Sequence, residues 1–179
     1  MGRVLTGYAA GLGLLTLAGL LLNFEALASH TTSQFNLFLI LLEAYTPLLT
    51  PLSSATGSPM IGGGRPLGIL PLLAWILTSC ILGFLLESGE KAAKVSFLAS
   101  ASILIIWIGS LFLSAPAWPD HHTWLSNLNK LSGDLISRPV DLSLILVGPL
   151  LISAAIGQLS EELRSKALEK DLEERYRLY

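Results

Sequence analysis

Residues 118–124, "WPDHHTW", set two adjacent histidines and an aspartate between tryptophans in a chain that has three histidines in all. His30, His121 and His122, with Asp120 and Glu43, are the residue types that hold a transition metal and activate water on it. Their spacing argues against that chemistry. Neighbouring residues on a helix do not face the same way, so His121 and His122 do not share one ion, and no HExxH-like pattern is present. An amphipathic helix over about 121–135 accounts for the stretch better. Asp120 stands where an N-cap belongs, and Trp124, Leu128, Leu131 and Leu135 follow at i, i+4, i+7 and i+11. Gly133 is expected to end or loosen this helix, and Trp118 and Trp124 to sit at headgroup depth on a membrane surface.

The second chemical possibility is "SPMIGGGRPLG" (58–68), because a glycine-rich turn carrying an arginine offers backbone amides and a cation to an anion. It lacks the Gly-Lys-Ser/Thr ending of a phosphate-binding loop and follows no strand pattern. It is expected to be a flexible connection in which Gly62, Gly63 and Gly64 turn the chain, Arg65 anchors at the headgroups and Pro66 starts a helix. No catalytic, cofactor-binding or metal-ligating residue is therefore assigned, and the chain is not expected to be an enzyme.

The setting follows from composition. Hydrophobic residues make up 52% and charged residues 13%, where soluble domains carry about 25% charged. The net charge of −2 gives no reason to expect a nucleic-acid partner, and the single cysteine, Cys80, excludes an intrachain disulfide.

A spanning helix needs about 20 mostly apolar residues, because its backbone amides must be satisfied within the segment. The stretches 4–22, 67–86, 95–113 and 140–159 meet that demand, the last with Pro149 inside it. Residues 34–52, "QFNLFLILLEAYTPLLTPL", begin in the same way but are interrupted by Glu43, Pro47 and Pro51. Two prolines four apart remove amide donors, so this segment is expected to dip into the membrane or lie at its interface rather than cross it. With both termini inside, the inner side holds Arg3, Lys91, Lys94, Arg164, Lys166, Lys170, Arg175 and Arg177, and the outer side only Arg65, Lys130 and Arg138. The positive-inside rule favours that arrangement. "MGR", an apolar run and "ALAS" (26–29) imitate a secretory signal, but the run exceeds the usual core of about 7–15 residues and is taken as an uncleaved first span.

Small residues at i, i+4 mark faces where membrane helices approach closely: Gly7 with Gly11, Ser96 with Ser100, and Ser153 with Gly157. The connection 86–94 is short enough to fold the second and third spans into a hairpin. The tail, 160–179, changes character, with acid-first pairs Glu162–Lys166, Asp171–Arg175 and Glu173–Arg177 favouring a solvated helix that continues the fourth span. Leu159, Leu163 and Ala167 fall on one face of it, and Leu168, Leu172, Tyr176 and Tyr179 on another, a candidate docking stripe for a partner.

The expected fold is thus all-α: a multi-pass membrane domain over 1–159, with about four transmembrane helices, an interfacial or re-entrant segment and an outer amphipathic helix, and a charged amphipathic cytoplasmic helix over 160–179. Its partners would be the lipid bilayer and other membrane-protein subunits or further copies of itself, in the cell membrane. An ion-coupled transporter needs ionisable residues within the membrane, and on this reading Glu43 is the candidate. Packing faces, a surface helix and a docking tail fit best a non-catalytic accessory or assembly subunit of a larger membrane complex. A small channel or transporter is the alternative, and a membrane enzyme built on the outer histidines comes third. None of these motifs is distinctive enough to name a family.

Overall fold

The computed structural model describes residues 2–29, 36–86 and 88–177, with the side chains of 26, 29 and 170–177 left aside. The chain is all-helical, with no strand among the described residues. In order it forms α1 (Gly2–Leu22), α2 (Phe24–Ser29), α3 (Leu37–Tyr45), a 3₁₀ turn (Thr46–Leu49), α4 (Pro51–Ala55), a second 3₁₀ turn (Ile61–Gly63), α5 (Leu70–Leu86), α6 (Gly89–Leu113), a third (Ala115–Ala117), α7 (His121–Ile136) and α8 (Pro139–Arg177).

Among the described residues three helices are long and apolar enough to cross a membrane: α1, α6 and the first 31 residues of α8, Pro139–Glu169. Large apolar side chains face outward on each of them, among them Leu17 and Leu21 on α1, Ile105 and Phe112 on α6, and Val147 and Leu151 on α8. Soluble monomers rarely expose such continuous apolar surface, and the three helices suggest a membrane protein. The apolar helix α5 is shorter, 17 residues, or about 26 Å at 1.5 Å per residue. It starts at Leu70 and not at Pro66, because Gly68 adopts φ +63° and turns the chain just ahead of it.

The helices form one bundle whose two ends differ. At one end, called here the tail end, α1 starts, the α5–α6 hairpin turns and α8 departs. Gly7 and Gly11 of α1 lie against Leu86 and Leu82 of α5, so these helices run antiparallel. Gly83 of α5 lies against Ser153 and Ile156 of α8, and Gly157 of α8 meets the backbone of Ser88 and Gly89 where α6 begins. At the opposite, cap end, α1 and α5 are held apart by the segment 37–55, which packs into the main core with Leu42, Tyr45, Leu48 and Leu49 against Leu15, Trp75, Trp107 and Ile145. Glu43 is bonded to Asn23 just past α1, Ser53 to the first turn of α8, and Ser54 to Leu67 ahead of α5.

Helix α7 lies across the cap end. Asp120 caps it by accepting from Thr123 N at 2.7 Å, and the helix runs through Gly133 to Ile136 without ending there. Its stripe turns inward: Leu135 is buried, and Leu128 and Leu131 pack on the main core. The indoles are tied to the end of α6, with Trp124 Nε1 donating to Leu111 O at 3.2 Å and Trp118 Nε1 to Ser114 Oγ at 3.2 Å.

Candidate functional site

The concentration of polar chemistry in the fold is the break between α3 and α4. Pro47 has no amide to give to the carbonyl four residues back, Glu43 O, and Pro51 leaves Pro47 O in the same position. A backbone group stripped of its partner in an apolar interior costs about 1–3 kcal/mol, so the break needs donors from elsewhere. The surrounding helices supply them. Asn23 Nδ2, just beyond α1, donates to Glu43 O at 2.8 Å. Trp75 Nε1 of α5 donates to Leu48 O at 2.8 Å. Trp107 Nε1 of α6 donates to Thr46 Oγ1 at 3.0 Å, while that hydroxyl donates to Leu42 O at 2.7 Å. Tyr45 Oη and Thr16 Oγ1 of α1 share a hydrogen bond at 2.7 Å.

The last contribution is a carboxylate. Asp141, in the first turn of α8, is only 3% exposed. Its Oδ1 accepts from Leu52 N at 2.7 Å and Ser53 N at 3.1 Å, and its Oδ2 accepts from Ser53 Oγ. These amides are the second and third of α4, the pair that an N-cap side chain ordinarily serves. The N-cap residue itself, Thr50, makes no side-chain cap bond. Capture of Leu52 N by Asp141 also explains why Leu48 O, four residues back, is free to accept from Trp75.

Three buried polar atoms lack a partner among the described residues: Thr50 Oγ1, Ser110 Oγ and Arg138 Nη1. Thr50 is 0% and Ser110 2% exposed. All three belong to the cap-end half of the molecule, at the break, on α6 and just before α8.

The glycine-rich loop is not a free connection. Ile61–Gly63 forms a 3₁₀ turn in which Gly62 and Gly63 adopt φ +81° and +87°. Gly62 N donates to Asp134 Oδ2 at 2.9 Å, and Lys130 Nζ donates to Gly62 O at 2.9 Å, so α7 clamps the loop from both sides. The Gly62 amide, one of those that such a turn could offer to an anion, is taken by Asp134.

His121 and His122 sit in the first turn of α7, and His121 stacks at a tilt on Trp124 with ring centroids 5.1 Å apart. His30 lies outside the described residues. Among the described residues no three of His, Cys, Asp and Glu come together to hold a metal. Hydrogen bonds to the amide and hydroxyl of Thr123 hold the exposed Asp120 carboxyl below its ordinary range.

The small residues pack within the chain. Gly7 and Gly11 receive Leu86 and Leu82, Gly157 receives Gly89, and Ser153 is buried with Oγ bonded to Leu150 O at 3.1 Å. Ser96 and Ser100 are buried on α6, and Ser100 Oγ donates to Ser96 O at 2.9 Å. In the tail, Leu168 is 64% exposed. Leu172 and Tyr176 lie on α8 with side chains outside the described residues, and Tyr179 lies outside them altogether.

The sequence reading passes over two residues that matter here. Asp141 is the second residue of the stretch 140–159, so Glu43 is not the lone carboxylate of the apolar segments; the signal was an acid two residues after Pro139, in the first turn of a helix. Gly19 is the other, since a Cβ there would stand 2.3 Å from Ala44 O. No family model, curated protein or solved structure matches the chain.

Proposed function

We propose that this chain is a non-catalytic subunit or assembly factor of a larger membrane complex, anchored by four spans (α1, α5, α6 and the first half of α8) and docking through its cytoplasmic tail. The observation that carries this reading is the continuity of α8. Its first half contributes a buried seam of Asp141, Ile145, Ser153 and Ser160. The same helix, 39 residues in all and so about 58 Å long, then leaves the bundle with Leu163 and Leu168 each 64% exposed. A stiff strut that carries exposed leucines and paired charges away from the bilayer is what a docking element requires. Residues 37–55 form a re-entrant segment from the outer face, an irregular backbone at membrane depth that neighbouring side chains make tolerable.

Removal of residues 168–179 tests the reading. The spans should fold and express normally, while co-purification of partners from native membranes should fall, by about tenfold or more if the two leucines and two tyrosines act as interface anchors. Equal partner sets and yields for the intact and truncated proteins would remove the docking role. Sidedness is tested by Ser126→Cys and Ser165→Cys. An impermeant thiol reagent on intact cells should label the first and spare the second.

The break itself favours a second reading, a small channel or transporter. Re-entrant backbone, a buried carboxylate and unpartnered hydroxyls in one region are the ingredients of an ion path. A symmetric homo-oligomer with a central path would support it over the subunit reading.

A further inference from the structure

We propose that the break ahead of α4 binds a monovalent cation between Asp141, Thr50 and Ser110. The charge comes first. Among the described residues, the buried Asp141 accepts hydrogen bonds only from neutral donors, two amides and a hydroxyl. None of the described cationic side chains pairs with it. Burying a carboxylate among neutral groups in a medium of low dielectric carries a desolvation penalty, and a cation beside it offsets that penalty.

The donors come second. Because Asp141 has taken the amides of Leu52 and Ser53, the N-cap Thr50, two residues ahead of the first of them, keeps its hydroxyl unused, fully buried and without a partner among the described residues. Register carries Ser110 to the same depth in the bundle. Trp107 Nε1 touches Thr46 Oγ1, and from there both α6 and the 3₁₀ turn run toward the cap end. Ser110, three residues beyond Trp107 and buried on the same face of α6, therefore comes level with Thr50, four residues beyond Thr46. Its hydroxyl is also buried and unpartnered.

The chemistry comes third. One carboxylate and neutral hydroxyl oxygens suit a hard cation, and a single negative charge is neutralised by a monovalent one. No set of His, Cys, Asp and Glu is present to favour a transition metal among the described residues. The inference rests on the polar groups of the break and holds whether the chain is a subunit or a transporter.

The test is thermal unfolding of the purified full chain in mild detergent, titrated with NaCl against choline chloride at constant ionic strength. A saturable rise in Tm with sodium and not with choline is expected. Thr50→Val and Ser110→Ala, which leave the cap of α4 in place, should each raise the half-saturating sodium concentration about tenfold or more, and Asp141→Asn should abolish the response. Identical sodium and choline curves for the unaltered protein would mean that the hydroxyls face water alone, and would overturn the proposal. So would a sodium response that Thr50→Val and Ser110→Ala leave unchanged. These two variants keep the test decisive even if Asp141→Asn does not fold.

Discussion

The two halves of the α1–α5 seam solve the same problem by different means. Toward the tail end, glycine lies directly on leucine, with Gly7 on Leu86 and Gly11 on Leu82. Hydroxyls there mostly return to their own helix, as Ser100 does to Ser96 O, and the Tyr8–Ser102 hydrogen bond is an exception. Toward the cap end the helices part around a segment broken by two prolines, and side chains of α1, α5, α6 and α8 hydrogen-bond to its polar groups. Close packing of small residues against leucine is the main tie in the first half. The second depends on named polar pairs, which makes it the place where chemistry is possible and where single substitutions tell most.

The difference can be broken first at Gly19. A Cβ there meets backbone, Ala44 O at 2.3 Å, whereas at Gly11 it meets only the end of Leu82 at 2.9 Å. Gly19→Ala is expected to destabilise the bundle by about 3 kcal/mol, the upper part of the usual range for overpacking, and Gly11→Ala by far less because a leucine rotamer can yield. Unfolding in detergent compares the pair, and equal losses would erase the contrast between the halves.

Asp141→Ala comes next. It leaves two amides and the Ser53 hydroxyl without their acceptor, and should cost about 2–3 kcal/mol. Hydrogen exchange ought to report it locally, with α4 losing protection while α1, α5 and α6 at the tail end keep theirs.

Trp75→Phe keeps the ring and removes one donor. The unpaired Leu48 O should cost about 1–2 kcal/mol. If stability is unchanged, water can reach the break and its internal satisfaction is not essential.

The smallest effect belongs to the cap end's outer rim. Asp120 has its folded-state pKa lowered by hydrogen bonds from Thr123. Its contribution is therefore present above the ordinary carboxylate range and lost as pH falls through the lowered folded value. Protection of α7 should fade only in that acidic window, and Asp120→Ala should remove the pH dependence.

The all-helical class and three of the long apolar helices were legible in the sequence because each depends on nearby residues: run length, hydropathy and the absence of strand periodicity. The interruption of 34–52 was legible too, since Pro47 and Pro51 declare it. What fills the break was not. Asn23, Trp75, Trp107 and Asp141 are separated from it by tens of residues, and nothing local distinguishes Trp107 as a hydrogen-bond donor from an ordinary apolar tryptophan. The glycine loop misled for the same reason: its turn propensity is local, but the clamp by Lys130 and Asp134 is tertiary. Gly133 is tolerated inside α7 because the helix is held by its packed stripe, so the modest intrinsic cost of glycine does not decide where it ends.

The mass and composition of the particle extracted from native membranes directly into lipid nanodiscs test the central claim most directly. The chain alone is 19.2 kDa. A subunit held by its tail should emerge in a heavier particle that contains other polypeptides, and truncation at residue 167 should release it as a lighter one. A lone monomer of this chain, unchanged by the truncation, would contradict the account.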